Sequence, residues 1–84
     1  MKTYRISYSG VNSKFKGIDV EINAHNEKQA VRIFYALYCG QNCFPQDNGS
    51  IKDSDGVVIA EPNDNYIKFD GGYFEAHELQ EVEL

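Results

Sequence analysis

The passage Ile18-Asp19-Val20-Glu21-Ile22-Asn23-Ala24-His25-Asn26-Glu27-Lys28-Gln29-Ala30 decides the fold, because the period of its apolar residues changes partway along. Ile18, Val20, Ile22 and Ala24 recur at every second position with Asp19, Glu21 and Asn23 between them, the pattern of a strand with one buried face. From Asn26 the period lengthens. Asn26 suits a helix N-cap, Gln29 stands at capping-box spacing from it, and Glu27 complements the positive end of the helix dipole. Ala30, Ile33, Phe34, Leu37 and Tyr38 then follow at i, i+3, i+4, i+7 and i+8, an apolar stripe that Val31 and Tyr35 widen on one flank. Gly40 stands where a glycine commonly ends a helix, and Pro45 lies just beyond. The spacing predicts a helix over residues 27–39.

Working outward, Tyr4, Ile6 and Tyr8 alternate with Thr3, Arg5 and Ser7, which makes a second half-buried strand. The turn-rich stretch Ser9-Gly10-Val11-Asn12-Ser13 separates it from the first, so the two pair as a hairpin with a long connection around residues 10–16. Residues 40–49 read as loop throughout. Ile51-Lys52-Asp53 and Val57-Val58-Ile59-Ala60 flank Ser54-Asp55-Gly56, a hairpin in which Gly supplies the positive φ. After the turn Glu61-Pro62-Asn63-Asp64-Asn65, Tyr66-Ile67-Lys68-Phe69 and Tyr73-Phe74-Glu75-Ala76 surround Asp70-Gly71-Gly72 as another hairpin. The tail from Glu78 to Leu84 is either an edge strand or frayed. The expectation is an α+β domain over residues 1–84 in the order ββαββββ, an antiparallel sheet of about five to six strands packed on one helix.

The 84 residues suit one domain, and 42% hydrophobic with 25% charged residues is globular usage. The charged opening Met1-Lys2-Thr3-Tyr4-Arg5 has no apolar region behind it, and no run approaches the roughly 18 apolar residues that span a bilayer. Two cysteines are too few for a disulfide framework. A reduced, cytoplasmic protein without membrane attachment is expected. Charge is unevenly spread. Residues 1–44 hold six bases (Lys2, Arg5, Lys14, Lys16, Lys28, Arg32) against three acids, or +3; residues 45–84 hold Lys52 and Lys68 against ten acids, or −8, which together give the net −5. Such asymmetry implies two faces with different roles, unless the acids serve solubility alone.

The chemistry-bearing residues are sparse. Cys39 and Cys43 lack the further paired ligands a metal site needs, since His25 and His77 have no matching spacing. Cys39 at a helix C-terminus is better placed as a small hydrophobe, because that end of the dipole opposes a thiolate. Asp53-Ser54-Asp55-Gly56 resembles the start of a calcium loop, but that alignment puts Ile51 and Pro62 at the first and last ligand positions, and a hairpin turn explains it. Gly71-Gly72 opens no helix and so makes no phosphate cradle. No nucleophile-and-base arrangement is apparent, and neither an enzyme nor a cofactor is expected. The basic residues are few and interrupted by acids, which argues against direct binding of nucleic acid.

The carboxylates of the second half are the candidate site. Asp53, Asp55, Asp64, Asp70 and Glu75 lie near strand ends and turns, interleaved with Tyr66 and Tyr73, and would present a negative, aromatic-bearing surface. Such a surface fits an Arg- and Lys-lined groove that otherwise holds phosphates. A solvated acidic rim is the plainer explanation.

The strand Tyr4-Arg5-Ile6-Ser7-Tyr8 and the strand-to-helix passage Ile18–Ala30 resemble those of small phage-encoded proteins, among them anti-CRISPR proteins, in which a curled antiparallel sheet holds one helix. The likeness is one of size, element order and acidity over the whole chain, and no functional residue is carried across by it. It implies a non-catalytic inhibitor that, in the host cytoplasm, occupies the nucleic-acid-binding surface of a CRISPR effector complex. A homodimerising structural or regulatory module, paired through an exposed edge strand, is the alternative. A small enzyme or ligand carrier with a pocket around Tyr35, Cys39 and His77 is the third.

Overall fold

The computed structural model describes residues 1–11, 15, 17–69 and 71–79, and the backbone alone of Asn42. Its first strand, β1 (Lys2–Ser9), pairs antiparallel with β2 (Val20–Ala24), Tyr4 opposite Ile22 and Ile6 opposite Val20. The alternation read from the sequence is kept: Tyr4, Ile6, Ile22 and Ala24 are buried, while Arg5 and Glu21 face solvent.

The helix α1 (Glu27–Tyr38) begins where the cap chemistry places it. The Asn26 Oδ1 accepts the Gln29 amide at 2.8 Å, and the Gln29 Oε1 accepts the His25 amide at 2.7 Å, so two N-terminal donors are satisfied. The other end differs from expectation. Gly40 is not left-handed; the Cys39 amide donates to the Tyr35 carbonyl at 2.7 Å and Gly40–Asn42 tightens into a single 3-10 turn. The buried stripe is also rotated towards its flank. Ala30, Val31, Phe34 and Tyr35 pack inward, whereas Leu37 is 70% and Tyr38 63% exposed. Tyr38 stacks on Phe34 with ring centroids 4.9 Å apart.

Beyond the helix come β3 (Phe44–Pro45), β4 (Ile51–Lys52), β5 (Val58–Ala60), β6 (Tyr66–Phe69) and β7 (Gly72–Glu78). The class is α+β, with one helix and seven strands among the described residues. The strands form two antiparallel sheets, β2-β1-β7-β6 and β3-β4-β5. Sequence reading treated residues 40–49 as loop, but Phe44 and Pro45 pair with Lys52 and Ile51. A proline is tolerated there because β3 is the edge of its sheet. The last residues of the chain, 80–84, lie outside the described residues, so the tail expectation applies only to Glu78, which ends β7, and Leu79, whose amide donates to the Thr3 carbonyl at 2.9 Å.

Helix α1 packs on β7, β2, β1 and β6, covering one face of the larger sheet. Phe74 sits at the centre of that interface. Its ring lies 5.0 Å from Phe34, 5.1 Å from Tyr8, 5.2 Å from Phe15 and 5.5 Å from Phe69. Tilted and edge-on contacts of this kind add to the burial energy of each ring. The start of β7 is tight: a Cβ on Gly72 would overlap the Ser9 carbonyl and approach Gly10 Cα to 2.6 Å. The smaller sheet is tied to the helix by Arg32, whose Nη1 donates to the Gly49 carbonyl (2.9 Å) and Nη2 to the Glu61 carbonyl (2.8 Å).

Candidate functional site

The two sheets leave a cleft between them. The β4–β5 hairpin forms one wall, and its turn is built by Asp53, whose Oδ1 accepts the amides of Asp55 and Val57, each at 2.9 Å. Gly56 follows at φ +79°, which a side chain would resist. The hairpin-turn reading of Asp53-Ser54-Asp55-Gly56 therefore holds, and the Asp53 carboxylate is partly spent on its own backbone.

The opposite wall is the β6–β7 hairpin. Its register sets Tyr66 opposite Glu75 and Lys68 opposite Tyr73, all on the sheet face away from the helix. The Tyr66 and Tyr73 rings meet edge to face at 5.7 Å. Between the walls is an open cleft of 890 Å³, with Tyr35, Ile59 and Phe69 among its apolar lining. Among the described residues of the lining, Asp53, Asp55 and Glu75 contribute three carboxylates against the one cation Lys68, a charge of −2.

Tyr35 contributes the most constrained polar group. Its side chain is only 1% exposed, and no described residue hydrogen-bonds its hydroxyl. Burial, reinforced by Cys39, Cys43 and Asp53, pushes the phenol up from 10 to about 12. It stays a neutral donor at any physiological pH.

Five of the residues singled out from sequence (Asp53, Asp55, Tyr66, Tyr73 and Glu75) thus share one cleft. Asp64 does not join them; it folds back on the β5–β6 turn, where its Oδ2 accepts the Glu61 amide at 2.9 Å. Asp70 lies outside the described residues. Ile59, Lys68 and Phe69 were not singled out. The alternation of Ile67 and Phe69 with Tyr66 and Lys68 marks two faces of β6, but only the tertiary fold shows that both faces reach the cleft.

Among the described residues, the basic first half pairs with few of the later carboxylates. Arg5 pairs with Asp19 (3.4 Å) and Glu21 (3.6 Å), both from its own half, and among the described residues only Lys2 crosses over, to Glu78 at 3.5 Å. These pairs are exposed and contribute little to stability.

The pocket imagined around Tyr35, Cys39 and His77 does not form. Cys39 is half-buried against the core, and burial foremost, then Cys43, pushes its thiol up, away from a reactive thiolate. His77 lies on the outer sheet face, its Nε2 at 2.9 Å from Ser7 Oγ and 3.6 Å from Glu75. Serine, histidine and carboxylate meet, but both partners address the same ring nitrogen. A catalytic relay needs one on each, so this cluster is not a triad. Among the described residues, no group of three or more His, Cys, Asp or Glu side chains is placed to hold a metal ion, and no helix is long and apolar enough to cross a membrane.

Comparison with protein families, with curated proteins and with solved structures finds no significant match to the chain.

Proposed function

We propose that the chain is a non-catalytic binding protein whose acidic, tyrosine-lined cleft engages a basic protein surface. The supporting observation is the gathering of Asp53, Asp55 and Glu75 beside Tyr66 and Tyr73, with no Lys or Arg of the first half paired to them among the described residues. Carboxylates confer orientation and on-rate, and the accessible Tyr66 and Tyr73 would supply anchoring energy on becoming buried under a partner. The partner such a surface fits best is a protein groove lined by Arg and Lys that otherwise holds phosphates. Occupying that groove would exclude nucleic acid, the action implied by the likeness to anti-CRISPR proteins, and its setting would be the host cytoplasm.

The test is binding of the full chain to purified CRISPR effector complexes, with displacement of target DNA as the readout. Affinity should fall steeply between low and physiological salt. The triple change Asp53→Asn, Asp55→Asn and Glu75→Gln should weaken it by roughly tenfold or more while leaving the fold intact, since Asn at 53 keeps the turn's acceptor oxygen. Binding that ignores both salt and this change would overturn the proposal.

The second reading, a homodimerising module, is favoured by the free edges of β2 and β6 on the larger sheet. Sedimentation equilibrium showing a monomer at all concentrations would remove it.

A further inference from the structure

We propose that the free edge of β6 takes an extended basic peptide as an added strand. This rests on the cleft being the binding site and specifies how it binds.

β6 is the last strand in the order β2-β1-β7-β6, so one of its sides meets no strand of its sheet. The register shows which backbone groups point that way. Phe69 faces Gly72 across a two-residue turn and Ile67 faces Phe74. In such a hairpin these are the pairs that exchange hydrogen bonds. The amides and carbonyls of Tyr66 and Lys68 therefore point outward, and no described residue bonds to them. They form a two-residue template for strand addition, and both residues line the cleft.

Tyr35 lines the same cleft, and its hydroxyl, which no described residue hydrogen-bonds, is not among the polar atoms sealed from solvent, so it is open to an occupant. A peptide carbonyl laid along β6 could accept from that hydroxyl in place of water.

Charge selects the occupant. The described residues of the lining carry −2, which attracts a lysine- or arginine-bearing segment and repels a phosphodiester backbone. A second copy paired edge to edge would bring two such linings together, each repelling the other. In a strand alternating basic and apolar residues, the cations would lie on the Glu75 side and the apolar residues against Phe69 and Tyr35.

The experiment titrates an acetylated, amidated octapeptide of alternating lysine and valine into the full chain, followed by NMR and amide hydrogen exchange. The amides of Tyr66 and Lys68 should become protected, and N-methylating the peptide on the edge facing β6 should weaken binding by roughly tenfold or more. Equal binding of the two peptides overturns strand addition. If that equal binding is still weakened by the Asp53, Asp55 and Glu75 amide changes, the acidic-cleft reading survives; if those changes also have no effect, both fall. Absence of binding at millimolar peptide overturns strand addition, whereas the cleft reading is then judged on the whole protein partner. Protection of Tyr66 and Lys68 before peptide is added, in a sample that sediments as a dimer, overturns it in favour of self-pairing.

Discussion

The two sheets are held by different physics. The larger one joins strands from opposite ends of the chain, β1 with β7, and buries Tyr4, Ile6, Ile67 and Phe74 under a capped helix. The smaller one has strands of two or three residues with a register shift at Ile51 and Lys52. Its order comes from an aspartate turn, the buried Ile51, Ile59 and Ala60, and the Arg32 clamp. Bulk burial stabilises the first. A few directional bonds position the second. The cleft lies between them, so its floor is rigid while one wall depends on those few bonds.

The sharpest way to break this contrast is Phe74→Ala. The change removes the ring shared by Tyr8, Phe15, Phe34 and Phe69 and should cost about 3–5 kcal/mol. That is comparable to the whole stability of so small a domain. Circular dichroism under urea should show a chain largely unfolded without denaturant. Leu37→Ala, on the same helix but 70% exposed, should stay within about 0.5 kcal/mol of the parent. Equal effects would mean that the helix is packed differently.

Next in size is Arg32→Met. It keeps an apolar stem but withdraws both donors from the Gly49 and Glu61 carbonyls, at about 2 kcal/mol, partly offset because the buried Arg32 Nε has no partner of its own. Hydrogen exchange should accelerate in residues 51–60 more than in β1 or β7. Uniform acceleration would show the two sheets to be one cooperative unit.

Much of this was legible in the chain, and the gaps have physical causes. Alternation at Tyr4-Ile6 and Ile22-Ala24 specified a buried face whatever the partner strand, and Asn26 with Gln29 specified a helix start through local bonds. Local signals could not show where the helix would turn its face. The stripe centred on Ile33 and Leu37 was as apolar as the one centred on Val31 and Tyr35, and contact with β7 and β6 decided between them. The β3 strand was hidden because its two residues carry no period, and Pro45 reads as loop. Of the site, the acids and tyrosines were visible as types. Their meeting required the β4–β5 turn to approach the β6 edge, a long-range event that no residue pattern records.

The smallest effect concerns Tyr35, where the rigid floor meets the cleft. Burial raises its phenol above the unfolded value of 10, so the folded state holds that proton more firmly than the unfolded chain does. The stability this contributes is complete below pH 10 and is lost as pH rises towards about 12. Cys39 and Cys43, whose thiols are also pushed up by burial, begin a similar decline from about 9, and Tyr4 shares the later part. Tyr35→Phe keeps the ring contacts with Phe69 and Phe74 and deletes the titrating oxygen. Denaturation midpoints taken from pH 8 to 12 should therefore fall less steeply above 10 in the variant, with little change at pH 8. An unchanged slope would mean that the phenol is as well hydrated in the folded cleft as in the unfolded chain.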